Sequence, residues 1–255
     1  MRFKFLTGIA VIALVVGVGV AWRSTSRGGQ SRDVQSREPS TIKVVVNPLP
    51  AKDGVIPIEI VQPTVVSNAP NKLDDLTYTL RNNSGKAVIA LAVIRTIAYE
   101  EGGKVYAHSV YSTTDAAFHP DVGGKPFLPG NQMPMEAAGS VGFDDAVVIK
   151  EITLTIDYVS YADQTSYGSG GEGERRINAM REGARRYKGW LAQEYSRAGK
   201  SLVTILPVIQ TPSIPEGLKL DSDQKMGADR YRLQLLSTLQ KKGAADVESY
   251  LKRIN

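Results

Sequence analysis

Histidine has the widest chemical repertoire of the side chains in this sequence, and only two are present. His119 lies in the tetrapeptide Phe118-His119-Pro120-Asp121, with Asp115 shortly before it. An imidazole and a carboxylate two residues apart offer two ligands of the kind that divalent metals take. The chain has no cysteine and no second histidine at a suitable spacing. We therefore expect no metal site, and we interpret His108, in a predicted strand, as a structural or surface residue.

Nucleophilic catalysis requires a serine or cysteine, a base and an orienting acid. Serines are plentiful, but no G-x-S-x-G motif is present. The pairs Asp74-Asp75 and Asp144-Asp145 are interpreted as turn or edge charges, because neighbouring side chains of a strand point to opposite faces. We expect no catalytic residue and no cofactor. The alternative is an envelope enzyme with its site in loop 113–137 around His119, with Asp115 or Asp121 as the acid.

Four glycines, at positions 168, 170, 171 and 173, precede a predicted helix. Backbone N–H groups at a helix N-terminus can bind an anion. The spacing matches neither the phosphate-binding loop nor the dinucleotide-binding pattern, which favours a hinge.

Aromatic residues are frequent between Tyr158 and Tyr195. Such side chains combine a large contact area with a polar group and can form recognition surfaces, although they also seal helices against sheets. The candidate interaction surface consists of His119, Asp121, Tyr161, Tyr167 and Trp190.

The segment from Leu76 to Tyr111 predicts three consecutive strands. Leu76, Tyr78 and Leu80 alternate with polar residues, which is the periodicity of a half-buried strand. Asn82 to Gly85 has the composition of a hairpin turn, and Glu101-Gly102-Gly103 predicts a second turn. Between them, Val88 to Tyr99 is apolar on both faces and predicts a central strand. The three strands would form a β-meander.

Further strands are predicted on both sides of this meander, at 42–46, 56–66, 141–143 and 147–158. The segment 113–137 has no periodicity and predicts a long irregular connection. Glu174 to Ala198 predicts a helix, because Ile177, Met180, Ala184, Tyr187, Leu191 and Tyr195 form one apolar stripe. Gly199 is placed to end this helix. Residues 201–209 suggest a further strand, and residues 228–254 predict a helix interrupted at Gly243.

The N-terminus has the pattern of a signal anchor. Residues 5–22 carry no charge and number eighteen, just enough to cross a hydrocarbon core as a helix. A cleavable signal peptide has a shorter apolar region, and Gly19-Val20-Ala21 is the best cleavage site present. We expect an uncleaved anchor that holds the body outside the cytoplasm, in the periplasm or at the cell surface. If the segment were cleaved, the protein would be secreted.

The net charge of +5 is unevenly distributed along the chain. Residues 1–41 carry +4, residues 42–170 carry −5 and residues 171–255 carry +6. The arginine- and serine-rich segment 23–41 cannot bury enough apolar surface to fold and predicts a flexible tether. A body close to neutral offers no case for nucleic-acid binding. The acidic and basic halves could attract each other within one chain or between chains.

Two segments suggest a family resemblance. They are L-x-N-x-S-G-K at 80–86, before a long apolar strand, and YADQTSYG at 161–168, followed by INAMREGARRYKGWL. With these segments, the chain resembles bacterial signal-anchored envelope proteins of unassigned activity that contain an immunoglobulin-like or fibronectin-III-like β-sandwich. The resemblance covers residues 42–168. The cysteine pair and the central tryptophan of antibody domains are absent.

The sequence therefore predicts a mainly β protein with C-terminal helices. An immunoglobulin-like antiparallel β-sandwich at 42–168 would follow the transmembrane helix at 1–22 and the tether at 23–41. A helical region at 169–255 would pack on the sandwich or extend it. We expect a membrane-anchored binding or scaffolding protein with a protein partner. A structural envelope protein that self-associates through opposite charges is a further alternative.

Overall fold

The computed structural model describes residues 42–51, 54–116, 125–136 and 141–254. Strands come first and helices follow, so the fold is mainly β with C-terminal helices, as predicted. The strands are β1 (Lys43–Asn47), β2 (Ile58–Val66), β3 (Lys72–Leu73), β4 (Asp75–Asn82), β5 (Val88–Glu101), β6 (Lys104–Asp115), β7 (Gln132–Glu136), β8 (Val141–Gly142), β9 (Val147–Tyr161) and β10 (Ser166–Tyr167). The helices are α1 (Glu172–Arg197), α2 (Leu202–Gln210), α3 (Ser222–Lys242) and α4 (Ala244–Ile254), with a 3₁₀ turn at Glu216–Leu218.

The strands form two main sheets and one short one. The larger sheet has the order β1-β9-β5-β6, and β10 also pairs with β9. The smaller sheet has the order β2-β4-β7, and β3 pairs with β8. All pairs are antiparallel except β1 with β9, which are parallel. β7 lies inside the segment 113–137 that was predicted as an irregular connection.

The predicted meander is wrong at its first turn and confirmed at its second. β4 belongs to the smaller sheet and β5 to the larger one, so residues 83–87 cross between sheets instead of forming a hairpin. The buried Asn82 amide donates to the carbonyls of Lys86 and Phe127 at 2.9 and 2.8 Å, which stabilises this corner. A turn composition alone does not distinguish a hairpin from a crossover, because both need the same backbone flexibility.

Both main sheets contribute to one apolar core. Leu76, Tyr78 and Leu80 of β4 are buried, which confirms the predicted alternation. They belong to the same cluster as Leu91 and Val93 of β5. The other members come from both sheets and include Ile58, Ile60, Ile97, Ile149, Ile152, Leu154 and Ile156. The two sheets therefore pack with their inner faces together.

The outer face of the larger sheet is covered by α1. Ala92 and Tyr158 pack against Ile177 and Met180 of this helix. The predicted apolar stripe is confirmed, because all six of its residues are buried. Further along α1, the stripe continues into a second cluster that it shares with α2, α3 and α4. One helix thus joins the sheet to the other helices.

The segment 201–209 is a helix, so its assignment as a strand is wrong. Ser201 caps α2 by accepting a hydrogen bond from the Thr204 amide at 3.4 Å. A short apolar run fits a buried strand or a buried helix equally well, and here packing on α1 and α3 selects the helix. The next helix, α3, starts at Ser222, six residues before its predicted start, because Asp221 and Gln224 form a capping box.

The predicted anchor at 5–22 and the tether at 23–41 lie outside the described residues. Among the helices that the structure describes, none is long and apolar enough to cross a membrane.

Candidate binding edge of the larger sheet

β6 is an edge strand of the larger sheet. One of its edges pairs with β5 along all twelve of its residues. No strand in the described part of the chain pairs with its other edge. Residues 104–109 are exposed, and Val105 retains 71% of its accessible surface. Free edges of this length are templates for pairing with another strand.

The hydrogen-bond pattern shows which backbone groups of β6 point outward. The amide of Ala116, just beyond β6, donates to the carbonyl of Ile89 at 2.6 Å. In an antiparallel ladder, hydrogen-bonded and non-hydrogen-bonded pairs alternate, and the register here is continuous. The even-numbered residues of β6 therefore bond to β5, and the odd-numbered residues direct their N–H and C=O groups away from it.

Arg230 of α3 confirms this alternation and limits the open edge. Its Nη1 donates to the carbonyl of Thr113 at 3.2 Å, so this outward carbonyl is already occupied. The open part of the strand, which we call the β6 edge, comprises the outward backbone groups of Val105, Ala107, Ser109 and Tyr111.

The side chains of β6 divide between the two faces of the sheet. Residues that are paired across strands share a face. Val110 is paired with Arg95, and Ser112 is paired with Val93. Tyr106, His108, Val110, Ser112 and Thr114 consequently belong to the inner face, together with the core residues of β5. Tyr111, Thr113 and Asp115 belong to the outer face, on which α1 packs.

Arg95 places a positive charge on the inner face of β5. Only 5% of the residue is exposed, and its neighbours on this face, Val93 and Ile97, are core residues. Its Nε and Nη1 atoms are buried and have no hydrogen-bond partner among the described residues. Burial lowers the pKa of Arg95, and the nearby Tyr78 phenol raises it in part. Buried N–H groups of a guanidinium that lack hydrogen-bond partners cost stability.

Hydroxyl groups lie on the same inner face as Arg95. Tyr78 of β4 is buried, and burial raises its pKa. The Ser112 hydroxyl and the Arg95 guanidinium interact with the Tyr78 phenol and offset part of this rise. A guanidinium and hydroxyl donors are the groups that bind carboxylate and phosphate oxygens. The arrangement can therefore hold an anion next to the β6 edge.

The structure places the sequence-predicted surface residues in different surroundings. Tyr161 ends β9 with 7% exposure, and the Lys86 ammonium lies 5.6 Å from its ring centroid. Tyr167 in β10 is exposed and lies opposite Val159 of β9. Trp190 is partly buried in the helical cluster, with its ring centroid 5.3 Å from that of Tyr187.

The structure brings Tyr161 and Tyr167 to neighbouring strands but separates them from Trp190. The tryptophan lies eighteen residues after the first residue of α1, or about 27 Å along the helix axis. His119 and Asp121 lie outside the described residues. An interaction surface that includes them stays a prediction.

Asp115, one acid of the enzyme alternative, forms an ion pair on the outer face of the sheet. Its two carboxylate oxygens accept hydrogen bonds from Nε and Nη2 of Arg181 at 2.6 and 3.0 Å. Only 1% of the Asp115 side chain is exposed. This pair fastens α1 to the end of β6. Within the described ranges, no group of three or more His, Cys, Asp or Glu residues is arranged to hold a metal ion.

Backbone amides of the glycine-rich segment at the start of α1 bind carboxylates of the protein itself. The Gly173 amide donates to Oδ2 of Asp157 at 2.6 Å, and the Gly170 amide donates to Oε2 of Glu174 at 2.6 Å. Negative groups near a helix N-terminus are stabilised by the helix dipole. The anion at this position is therefore Asp157 of β9, which connects the start of α1 to the sheet.

Arg95 was not among the predicted site residues, although the sequence contains a signal for it. Arg95 is the one charged residue in the apolar run from Val88 to Tyr99. A charge inside a predicted central strand indicates either an internal partner or a functional role. Whether an internal partner exists depends on the opposite sheet, whose position the sequence does not reveal.

Comparison with known proteins adds no assignment. The sequence matches no protein-family model and no curated protein. The resemblance to signal-anchored envelope proteins stays a prediction, and the chain's function must be inferred from its own geometry.

Proposed function

We propose that this chain is a membrane-anchored extracytoplasmic binding protein that engages a protein partner at the β6 edge. The observation that carries the proposal is the strand edge from Val105 to Tyr111, which pairs with no other described strand, has outward backbone groups and exposes its side chains at 105–109. Extended peptides bind to such edges by adding a strand to the sheet. The uncharged segment 5–22 supports the anchor, and the polar segment 23–41 would hold the body away from the membrane.

We also propose that the two sheets form an immunoglobulin-like sandwich. The chain passes between the two main sheets from β4 to β5, from β6 to β7 and, by way of β8, from β7 to β9. The orders β2-β4-β7 and β9-β5-β6 correspond to strands A-B-E and F-C-C′ of that fold. β1 lies beside β9, where the fold has strand G, but it runs parallel to β9. The strand order supports the family resemblance, and the parallel strand distinguishes this chain from antibody domains.

Site-specific photocrosslinking in intact cells tests the binding role. Val105 in β6 and Val203 in α2 are both exposed, at 71% and 81%, and each is replaced in turn by p-benzoylphenylalanine. A discrete crosslinked adduct from position 105 that is absent at position 203 is the expected result. No adduct at 105, or the same adducts at both positions, would overturn the proposal that the β6 edge is the binding site.

Protease accessibility tests the proposed location. The body should be cut only after the outer barrier of the cell is opened, and it should stay with membranes washed in carbonate. Protection until the cytoplasmic membrane is broken would invert the topology, and release by carbonate would contradict the anchor.

The enzyme alternative around His119 retains a simple test. A stoichiometric metal in the purified chain that is lost in His119→Ala would favour it. A metal-free protein whose thermal stability is unchanged by His119→Ala would count against it. The ion pair of Asp115 with Arg181 leaves Asp121 as the acid for such a site.

A further inference from the structure

We propose that the segment bound at the β6 edge is an extended acidic peptide, one of whose carboxylates pairs with Arg95. This inference rests on the proposed function and specifies the chemistry of the partner. It combines two independent features, the open backbone of β6 and the buried guanidinium of the adjacent strand.

Among the described residues, the inner face provides no counterion for Arg95. The residues paired with it are Val110 on β6 and Leu154 on β9. The opposite sheet contributes Leu76, Tyr78 and Leu80 to the same core. The nearby carboxylates of Asp115 and Asp157 are on the outer face, where Arg181 and the Gly173 amide already bind them. Because no carboxylate of the described residues pairs with Arg95, we infer that another molecule supplies the negative charge.

A strand added to the β6 edge would place a side chain in the row that contains Arg95. The open edge ends before Thr113, so the added strand would pair with residues 105–111. Its residue opposite Val110 would share the inner face with Val110 and Arg95. Two strand spacings, about 10 Å, separate that residue from Arg95. Arginine and glutamate are long enough to meet across a single valine, and the guanidinium can bind the carboxylate with two hydrogen bonds.

A second copy of this chain fits the edge less well. Pairing of β6 with β6 of another molecule would bring Tyr106, His108, Val110, Ser112 and Thr114 to the inner face beside Arg95. None of these side chains is negatively charged, so the guanidinium would stay unpaired. The charge on Arg95 favours a different partner that has a carboxylate in strand conformation.

Two synthetic peptides of about nine residues, a typical strand length, test the inference. One alternates threonine with glutamate, so that all its carboxylates lie on one face, and the other alternates threonine with glutamine. Binding to the full-length chain in detergent is measured by calorimetry. We expect the Thr–Glu peptide to bind at least roughly tenfold more tightly than the Thr–Gln peptide. Arg95→Met should abolish this preference, whereas Arg81→Met, a substitution of a partly exposed arginine on β4 that pairs with Glu59, should preserve it.

A backbone variant tests strand addition separately. Ala107→Pro removes one outward N–H of the β6 edge without removing a hydrogen bond to β5, so it should abolish peptide binding. Ala107→Ser retains the N–H and should bind as the wild type does. Circular dichroism and thermal unfolding confirm that each variant is folded.

The outcomes separate this inference from the proposed function. If both peptides bind equally, and Arg95→Met changes neither affinity while Ala107→Pro abolishes both, the role of Arg95 is wrong and edge binding stands. If the Thr–Glu peptide fails to bind at millimolar concentration, the acidic-strand inference is overturned, while the crosslinking result at Val105 still decides the proposed function. Binding that survives Ala107→Pro would show that the peptide does not add to β6.

Discussion

Two arginines illustrate how the same side chain can have opposite effects on stability. Arg181 has a buried carboxylate partner in Asp115, whereas Arg95 has none among the described residues. Removal of one member of a buried ion pair leaves the other charge unpaired in the interior. Removal of a buried charge that has no ion-pair partner leaves no unpaired charge in the interior. Replacing each arginine by methionine and measuring the free energy of unfolding shows the difference.

Arg181→Met should lower the free energy of unfolding by about 2–3 kcal/mol, because the buried Asp115 carboxylate loses both hydrogen bonds from Arg181. The loss stays below that of a fully buried pair because Arg181 is partly exposed. Arg95→Met should raise the free energy of unfolding by about 1 kcal/mol or more, because methionine suits the apolar inner face. Urea denaturation of both variants measures the two changes. A loss of stability in Arg95→Met would indicate that the guanidinium has a structural partner.

The burial of Tyr187 in α1 predicts that the protein loses stability in alkaline solution. Burial raises its pKa to about 12, and the Arg232 charge offsets part of this effect. Below pH 10 both the folded and the unfolded protein hold the phenol proton, so the full stability is present. Between pH 10 and pH 12 only the unfolded state releases the proton, and this tyrosine lowers the free energy of unfolding by about 1.4 kcal/mol per pH unit.

Urea denaturation at a series of pH values checks this prediction. Tyr187→Phe should remove about 2–3 kcal/mol of the decrease between pH 10 and pH 12. Tyr167→Phe, at an exposed position, is the matched control for the loss of a tyrosine hydroxyl. An unchanged profile in Tyr187→Phe would contradict the effect of burial on this phenol.

At the scale of elements, two glycines allow α1 and α3 to approach closely. A Cβ atom added at Gly183 would overlap the carbonyl of Gln224, and one added at Gly227 would overlap the carbonyl of Met180. The two helices contact each other through backbone atoms at this crossing. Neither helix can move away without opening the cluster around Tyr187 and Tyr231.

Gly183→Ala should therefore lower the free energy of unfolding by about 2–4 kcal/mol, in the range of overpacked cores. Gly189→Ala is the matched control on the same helix, because nothing lies within 4 Å of its added Cβ. That control should stabilise the protein by about 1 kcal/mol, through the higher helix propensity of alanine. Equal effects of the two substitutions in thermal or urea unfolding would contradict the close crossing.

At the scale of the whole molecule, the acidic strand-rich region and the basic helical region meet along α1. Asp115 of β6 pairs with Arg181, and the Arg176 guanidinium lies 4.5 Å from the ring centroid of Tyr111. Some of the opposite charges of the two regions therefore attract each other within one chain. Self-association through opposite charges stays an alternative, and it should weaken as salt concentration rises.

The contact of α1 with the sheet predicts that both unfold together. Ile177 and Met180 share a buried cluster with Ala92 and Tyr158. The slowest-exchanging amides of β5 and α1 should therefore have the same free energy of opening, which hydrogen exchange with mass spectrometry can measure. A value for α1 that is lower by more than about 1 kcal/mol would indicate that the helices unfold independently of the sheets.

Features that depend on local periodicity could be predicted from the amino-acid sequence alone. It predicted the apolar alternation of β4, the hairpin between β5 and β6 and the stripe of α1, because each follows from spacing within one segment. It also predicted the order of strands before helices. The proposed anchor at 5–22 is also a prediction from local sequence, and it lies outside the described residues.

Which segments are neighbours in space became known only from the three-dimensional structure. In the structure, β4 and β5 belong to different sheets, the segment 201–209 contributes to a helix, and Asp115 forms an ion pair with Arg181. The structure also shows that Arg95, on the strand next to an open edge, has no carboxylate partner among the described residues. These properties depend on contacts between residues far apart in the chain, whose burial and charge pairing no local pattern encodes. The candidate site belongs to this second group, because a charge in an apolar strand becomes informative only when its surroundings are known.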